Sequence, residues 1–164
     1  MRHGLSVMNA QGLFSGRNDS PLSKKGVAQC KGAASIARQY NIDTIVSSPM
    51  KRTIESAKII AKAIEYPEDK IIISDLFMER NFGPLEGTTY TNQLDLDKTD
   101  GVEHSLDIIK RAKLGLKMLN NLDSDVILVV SHSALGRALL HAIDPSVDFH
   151  KIERFNNAEV VKLI

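Results

Sequence analysis

The sequence contains a single cysteine, Cys30, in 164 residues. No internal disulfide can form, which fits a reducing compartment. Cys30 lies in a helical stretch and reads as a small buried hydrophobe rather than a nucleophile. No apolar run reaches the length of a membrane span, and the amino end lacks the charged-then-apolar order of a signal peptide. The expected location is therefore cytoplasmic, without a membrane partner. An excess of one charge is also missing: 21 Lys and Arg stand against 20 Asp and Glu, a net charge of +1. No global field draws the chain to nucleic acid, so any anion site has to be built locally. Internal repeats, low-complexity tracts and Pro/Gly/Ser linkers are absent. One domain over residues 1–164 is expected, of a size that hides roughly 68–70% of its unfolded surface.

What the chain does have is alternation. Residues 23–40 carry an apolar stripe (Val27, Ala34, Ile36, Ala37) behind a Ser23 N-cap and predict a helix. Residues 42–47 form a β-branched run into Ser-Ser-Pro and predict a strand and a turn. A second helix is expected over 50–64, with Ile54, Ala57, Ile60, Ala61 and Ile64 on one face, and a strand over 71–74. A third helix is expected over 102–122 and a short one over 134–143. Val126–Val130 reads as a strand covered on both faces, and Val160–Ile164 as a last strand. Residues 82–101 are polar and weakly periodic, a long excursion and a candidate lid. Strand–helix alternation predicts an α/β fold, three layers in α/β/α order, around a mostly parallel central sheet. Ligands of such sheets bind beyond the carboxyl ends of the strands, which directs attention to Ser47–Arg52, Phe77–Gly83 and Ser131–Arg137.

Those turns hold conspicuous polar residues. Ser131-His132-Ser133 follows one strand, Ser48-Pro49-Met50-Lys51-Arg52 another, and Glu79-Arg80-Asn81-Phe82-Gly83 a third, while Arg2-His3-Gly4 opens the chain with Asn9 soon after. Singly, each has an ordinary reading. Arg52 and Glu79 suit a solvated surface, His132 a structural histidine, and Arg2 and His3 a frayed terminus. Asp95, Asp97 and Asp100 lack the glycine and closing glutamate of a calcium loop and read as a solvated loop. No metal and no other cofactor are expected.

Together, Arg-His-Gly, Ser-Ser-Pro-Met-Lys-Arg, Glu-Arg-Asn-Phe-Gly-Pro-Leu-Glu-Gly and Val-Ser-His-Ser, in that order, resemble the histidine phosphatase (phosphoglycerate mutase-like) superfamily. The resemblance runs over nearly the whole chain and includes Gly101, Glu103, Asp107 and Arg111. It implies that His3 is the nucleophile, that Arg2 and Arg52 bind phosphate, that His132 contacts the phosphoryl group and that Glu79 donates the proton. Asn9 would be a polar member of the phosphate pocket. These residue types suit the task. Arginine forks bind phosphate oxygens in pairs and keep their charge. A cationic His132 is expected to add to them. A neutral imidazole can attack phosphorus, and a carboxylic acid can protonate the departing alkoxide.

Membership of a family does not fix the reaction. The resemblance implies a longer insertion and extra basic residues in the mutases. This chain has a short excursion, Glu79-Arg80-Asn81-Phe82 where mutases resemble Glu-Arg-His-Tyr, and Tyr90 near the place of an expected lysine. Hydrolysis of a small phosphate ester is the expected activity. Mutase-type phosphoryl transfer and phospho-ligand binding without turnover are the alternatives. The physiological substrate and the oligomeric state are not encoded in any of these residues. Family members carry a buried strand just before Arg-His-Gly, whereas only Met1 precedes it here. The sheet is therefore expected without its usual first strand, with residues upstream of this sequence or a late start as the favoured reasons and a true truncation repaired in another way as the alternative.

Overall fold

The computed structural model describes residues 1–164. A short helix α1 (Val7–Ala10) is followed by α2 (Lys24–Ala37), β1 (Thr44–Ser47), α3 (Lys51–Ala63), β2 (Ile72–Ile73), α4 (Ser105–Asn120), β3 (Ile127–Val130) and α5 (Ser133–Ile143). The sheet is parallel, in the order β2-β1-β3. Helices cover both of its faces, giving the expected three layers. Ile45 of β1 faces Leu128 and Val130 of β3 in a core completed by Cys30, Ala33, Ala34 and Ala37 of α2 and by Ala57, Ile60 and Ala61 of α3. One residue along, Val46 turns to the opposite core with Ile108 and Ala112 of α4 and Leu135, Ala138 and Leu139 of α5. This is the period-two alternation of a strand, and it makes register matter: a one-residue slip would exchange the two cores.

Local chemistry sets the ends of the elements. Ser23 caps α2 by accepting from the Gly26 amide, as its residue type predicts. Cys30 is fully buried beside the Ser56 hydroxyl, and burial pushes its thiol up in pKa. The 82–101 excursion forms two 3₁₀ turns, Gly83–Leu85 and Leu96–Lys98. It is held against residues 12–14: the Phe14 amide donates to the Thr88 carbonyl, and the Gly87 and Tyr90 amides to the Phe14 and Gly12 carbonyls.

Arg2 and His3 do not fray. Arg2 bridges Ser131 in parallel, continuing the sheet beyond β3. The His3 amide donates to the Ser131 carbonyl (2.9 Å), and the Ala158 amide donates to the His3 carbonyl (3.0 Å). Met1 places its amino group 2.7 Å from the Val129 carbonyl oxygen, and burial pushes that amine down to a pKa of about 5.

One predicted element is not there: Val160–Ile164 forms no strand. Glu159 and Ala158 pair with Arg2 and His3, and beyond them Val160, Val161, Leu163 and Ile164 join no ladder. They run instead along an apolar groove of about 600 Å³ shared with Tyr40, Ile42, Leu116, Leu119 and the outer edge of β3. No helix is long and apolar enough to cross a membrane.

Candidate active site

The carboxyl end of the sheet gathers the polar turns. Arg52 follows β1, Glu79 follows β2, and His132 follows β3 and caps α5. Residues 1–3, lying beside the end of β3, bring Arg2 and His3 to the same edge. Arg2, His3, Asn9, Arg52 and Glu79 line one cavity of about 100 Å³. His132 is not on its wall. It is 1% exposed and meets the His3 ring edge to face.

His3 is oriented by its own backbone. Its Nδ1 lies 2.6 Å from the Gly4 carbonyl oxygen. A carbonyl can only accept, so Nδ1 carries the proton and Nε2 keeps the lone pair. Burial, then the charges of Arg52 and Arg2, hold the imidazole well below its usual pKa, against the Gly4 bond that works the other way. The ring is neutral at pH 7 and its free nitrogen is nucleophilic.

The surroundings work against the cation expected at His132. Burial first, then Arg52, His3, Arg2 and Arg111, keep this imidazole well below its usual pKa too. Neighbouring bases compete for charge in a space with little water, and the three guanidiniums win because they cannot be deprotonated. His132 Nε2 is 2.9 Å from the Ser48 hydroxyl.

The arginines are tethered through part of their forks. Arg52, fully buried, donates from Nη1 to the Asn18 carbonyl (2.8 Å) and from Nη2 to the Gly16 carbonyl (2.6 Å). Arg2 donates from Nη1 to the Phe155 carbonyl (2.5 Å). Asn9 donates to Ser15 Oγ (3.0 Å). Glu79 sits at the amino end of α5: its Oε1 accepts from the amides of Arg80 (3.0 Å), Ala134 (3.2 Å) and Leu135 (3.3 Å). That is the natural seat for a carboxylate, since first-turn amides have no partner inside the helix. Oε2 has only a 3.5 Å contact with the Ala134 amide and is the freer oxygen.

Buried polar atoms nearly always find partners. Here the side-chain atoms that do not are Arg2 Nε, Asn9 Oδ1, Arg52 Nε, His132 Nδ1, Ser133 Oγ and Arg137 Nε. Every one belongs to the cavity wall or to His132. Spare donors on the Arg2, Arg52 and Arg137 guanidiniums, beside one spare acceptor on Asn9, thus converge on one small space, an arrangement suited to a tetrahedral oxyanion.

Several contributors were given no role in the sequence reading. Arg137, Arg154, Phe14, Phe82 and Tyr90 complete the wall. Arg111 holds the segment that carries Glu79: it donates to the Leu76, Met78 and Glu79 carbonyls and pairs with both Glu103 oxygens at 2.9 Å. Glu103 in turn accepts from the Asn81 amide (2.9 Å). The acidic loop residues are engaged as well, Asp97 with buried Arg80 and Asp95 with Lys98. The sequence reading named Arg111, nearly two turns into α4, only as part of the family resemblance and gave it no role.

Comparison with known proteins agrees with this geometry. The family model described as histidine phosphatase superfamily (branch 1) matches residues 1–164. The uncharacterized phosphatase PhoE of Bacillus subtilis is 30% identical over 147 residues, 87% of this chain and 75% of its own length. A protein named as a probable phosphoglycerate mutase, GpmB of Escherichia coli, is 38% identical over 86 residues, 52% of this chain and 39% of its own. Among solved structures, a mycobacterial glucosyl-3-phosphoglycerate phosphatase in complex with VO3 superposes with a TM-score of 0.83 at 22% identity, over 96% of this chain and 87% of that one. The motifs, the fold and the whole-length match agree, and the chain belongs to the histidine phosphatase superfamily.

Proposed function

We propose that this chain is a phosphomonoester hydrolase that carries the phosphoryl group on His3. The observation that supports it best is the set of unpartnered buried donors around a neutral imidazole whose Nε2 is free. In the first step Nε2 attacks phosphorus, the ester P–O bond breaks, and the alkoxide takes a proton from Glu79 Oε2. In the second, Glu79 takes a proton from water, the oxygen bonds to phosphorus, the P–N bond breaks, and inorganic phosphate leaves. Arg2 and Arg52 offset the two negative charges of the group in flight, the contribution usually worth most in such reactions. His132 starts neutral. The arriving negative charge favours its protonation, so it serves as a donor that charges with substrate rather than before it.

No step of this scheme uses a metal. Turnover is expected to survive chelation, and loss of activity in EDTA that added metal restores would contradict the scheme. Hydrolysis is favoured over mutase transfer by the shortness of the 82–101 excursion and by its contacts with residues 12–14, which leave it as a wall. The test is a rapid-quench experiment with a ³²P-labelled ester, stopped in alkaline denaturant because phosphoimidazole is acid-labile. Label on His3, lost in His3→Ala, with inorganic phosphate as the product, is the expected result. Isomerised phosphoglycerate without free phosphate would instead establish a mutase. Full turnover by His3→Ala would end the proposal.

A further inference from the structure

Two cations in the cavity wall are not needed to hold one phosphoryl group. Arg2 and Arg52 match its two negative charges, yet Arg137 and Arg154 line the same space, and Glu79 is the sole acidic residue on the wall. Neither extra guanidinium meets a carboxylate or a backbone carbonyl. Each lies against an aromatic face instead: Arg137 4.9 Å from the ring centre of buried Phe149, and Arg154 4.3 Å from that of Tyr90. Contact through the flat face secures the position of a guanidinium and leaves the N–H donors in its plane unused. Arg137 Nε is buried with no partner. The arrangement carries a cost, because Arg154 opposes charge on both Arg2 and Arg137. Glu79 offsets part of this repulsion, but one carboxylate on the wall faces four guanidiniums, and an anionic ligand relieves the rest.

We infer that Arg137 and Arg154, backed by Phe149 and Tyr90, form a second anion subsite, and that the substrate is a phosphate ester bearing a further acidic group. This inference rests on the phosphoryl site proposed above and adds to it the chemical class of the rest of the substrate. A carboxylate and a second phosphate share the required chemistry. The residues come from three separate parts of the chain, α5, the 82–101 excursion and the segment before Asn157. None of them belongs to the Arg-His-Gly, Ser-Ser-Pro or Ser-His-Ser motifs.

The test compares matched esters that differ only in the second group: 3-phosphoglycerate against glycerol 3-phosphate, and glucose 1,6-bisphosphate against glucose 6-phosphate. Hydrogen bonds to charged groups predict a preference of about tenfold or more in kcat/KM for the acidic member of at least one pair. The pair with the larger ratio identifies carboxylate or phosphate as the group received. In Arg154→Gln and Arg137→Gln the ratio should fall toward one. Arg154 is exposed, so its variant does not threaten folding. Ratios near one in the wild type, or a ratio that survives both substitutions, would overturn the subsite while phosphate release still upholds the hydrolase. Should no ester turn over, the hydrolase reading falls, and calorimetric binding of the same pairs to wild type and to both variants decides the subsite by the same ratio.

Discussion

The rings of His3 and His132 meet edge to face, with centroids 5.1 Å apart and planes 64° from one another. Two imidazoles this close, beside two arginines and away from water, cannot both be charged. Each is held well below its ordinary pKa, and burial is the first cause in both cases.

A pH dependence follows. Between the lowered native pKa and the ordinary value near 6.5, the unfolded chain binds protons at both histidines and the folded chain does not. Acidification through that window therefore favours unfolding, and above it these two groups contribute no slope. The thermal midpoint should fall as pH drops below about 6.5, and His132→Gln should flatten that fall. Activity should behave oppositely to a free imidazole: because His3 stays neutral, the acid limb of kcat/KM should lie clearly below 6.5. An acid limb at or above 6.5 would mean that His3 is not the buried neutral base described here.

In the proposed mechanism Glu79 protonates the leaving group, so its removal should matter in proportion to the leaving group's need for a proton. Glu79→Gln keeps the shape and most of the amide contacts while removing the transferable proton. Turnover of an alkyl phosphate should fall by about 10²–10⁴. An aryl phosphate such as p-nitrophenyl phosphate, whose phenolate leaves unaided, should lose much less. Steady-state kinetics on both esters measure the difference, and equal losses would remove Glu79 from the acid role.

Much of this was readable in the sequence, for physical reasons that differ by element. Helices α2, α3 and α4 lie one to three residues inside their predicted ends because their apolar stripes face a single core each, and periodicity reports that directly. Arg52, Glu79 and His132 stood out because each follows a strand in a short motif, whereas Arg2, His3 and Asn9 had only the resemblance to point to them. Val160–Ile164 misled because β-branched composition measures fitness for a sheet, while a strand also needs a neighbour's hydrogen bonds. His132 misled because residue type gives an ordinary pKa, and only the fold shows that Arg52, His3 and Arg2 surround it. Arg154 gave no signal at all, and Arg137 and Tyr90, though noticed, gave none of the role their place in the wall suggests. Arginine is common on surfaces, and nothing local reveals that the segment before Asn157 crosses back over the cavity.

Arg111 lies off the cavity wall and holds the segment that carries Glu79, so the role proposed for it is to position that carboxyl. Its guanidinium joins the Leu76, Met78 and Glu79 carbonyls to both oxygens of Glu103, with both side chains 15% exposed or less. Breaking a largely buried pair leaves an uncompensated carboxylate, so Arg111→Leu should cost about 3 kcal/mol in urea unfolding. A purely structural loss would lower turnover of all esters alike. A positioning role predicts that alkyl phosphates lose more than aryl ones, as in Glu79→Gln, and that Arg111→Lys recovers only part of the deficit because a point charge cannot span three carbonyls and a carboxylate.

The seat of His3 depends on a close approach between two backbones. A Cβ on Gly26 would collide with the carbonyl oxygen of Leu5, and one on Gly4 would strike the Gly26 carbonyl and the Cys30 sulfur. Neither obstacle is a flexible side-chain tip, so Gly26→Ala has to push residues 4–5 away from the first turn of α2. The Gly4 carbonyl that fixes the His3 tautomer moves with them. The expected result is a stability loss of about 1–3 kcal/mol, the usual range for forcing atoms into a packed site, together with a lower kcat. Gly32, in the same helix, has nothing within 4 Å of its would-be Cβ. Gly32→Ala should therefore gain up to about 1 kcal/mol from helix propensity alone and leave turnover as it was. If both alanines behaved alike in unfolding and in turnover, the contact between Leu5 and α2 would not be what seats the nucleophile.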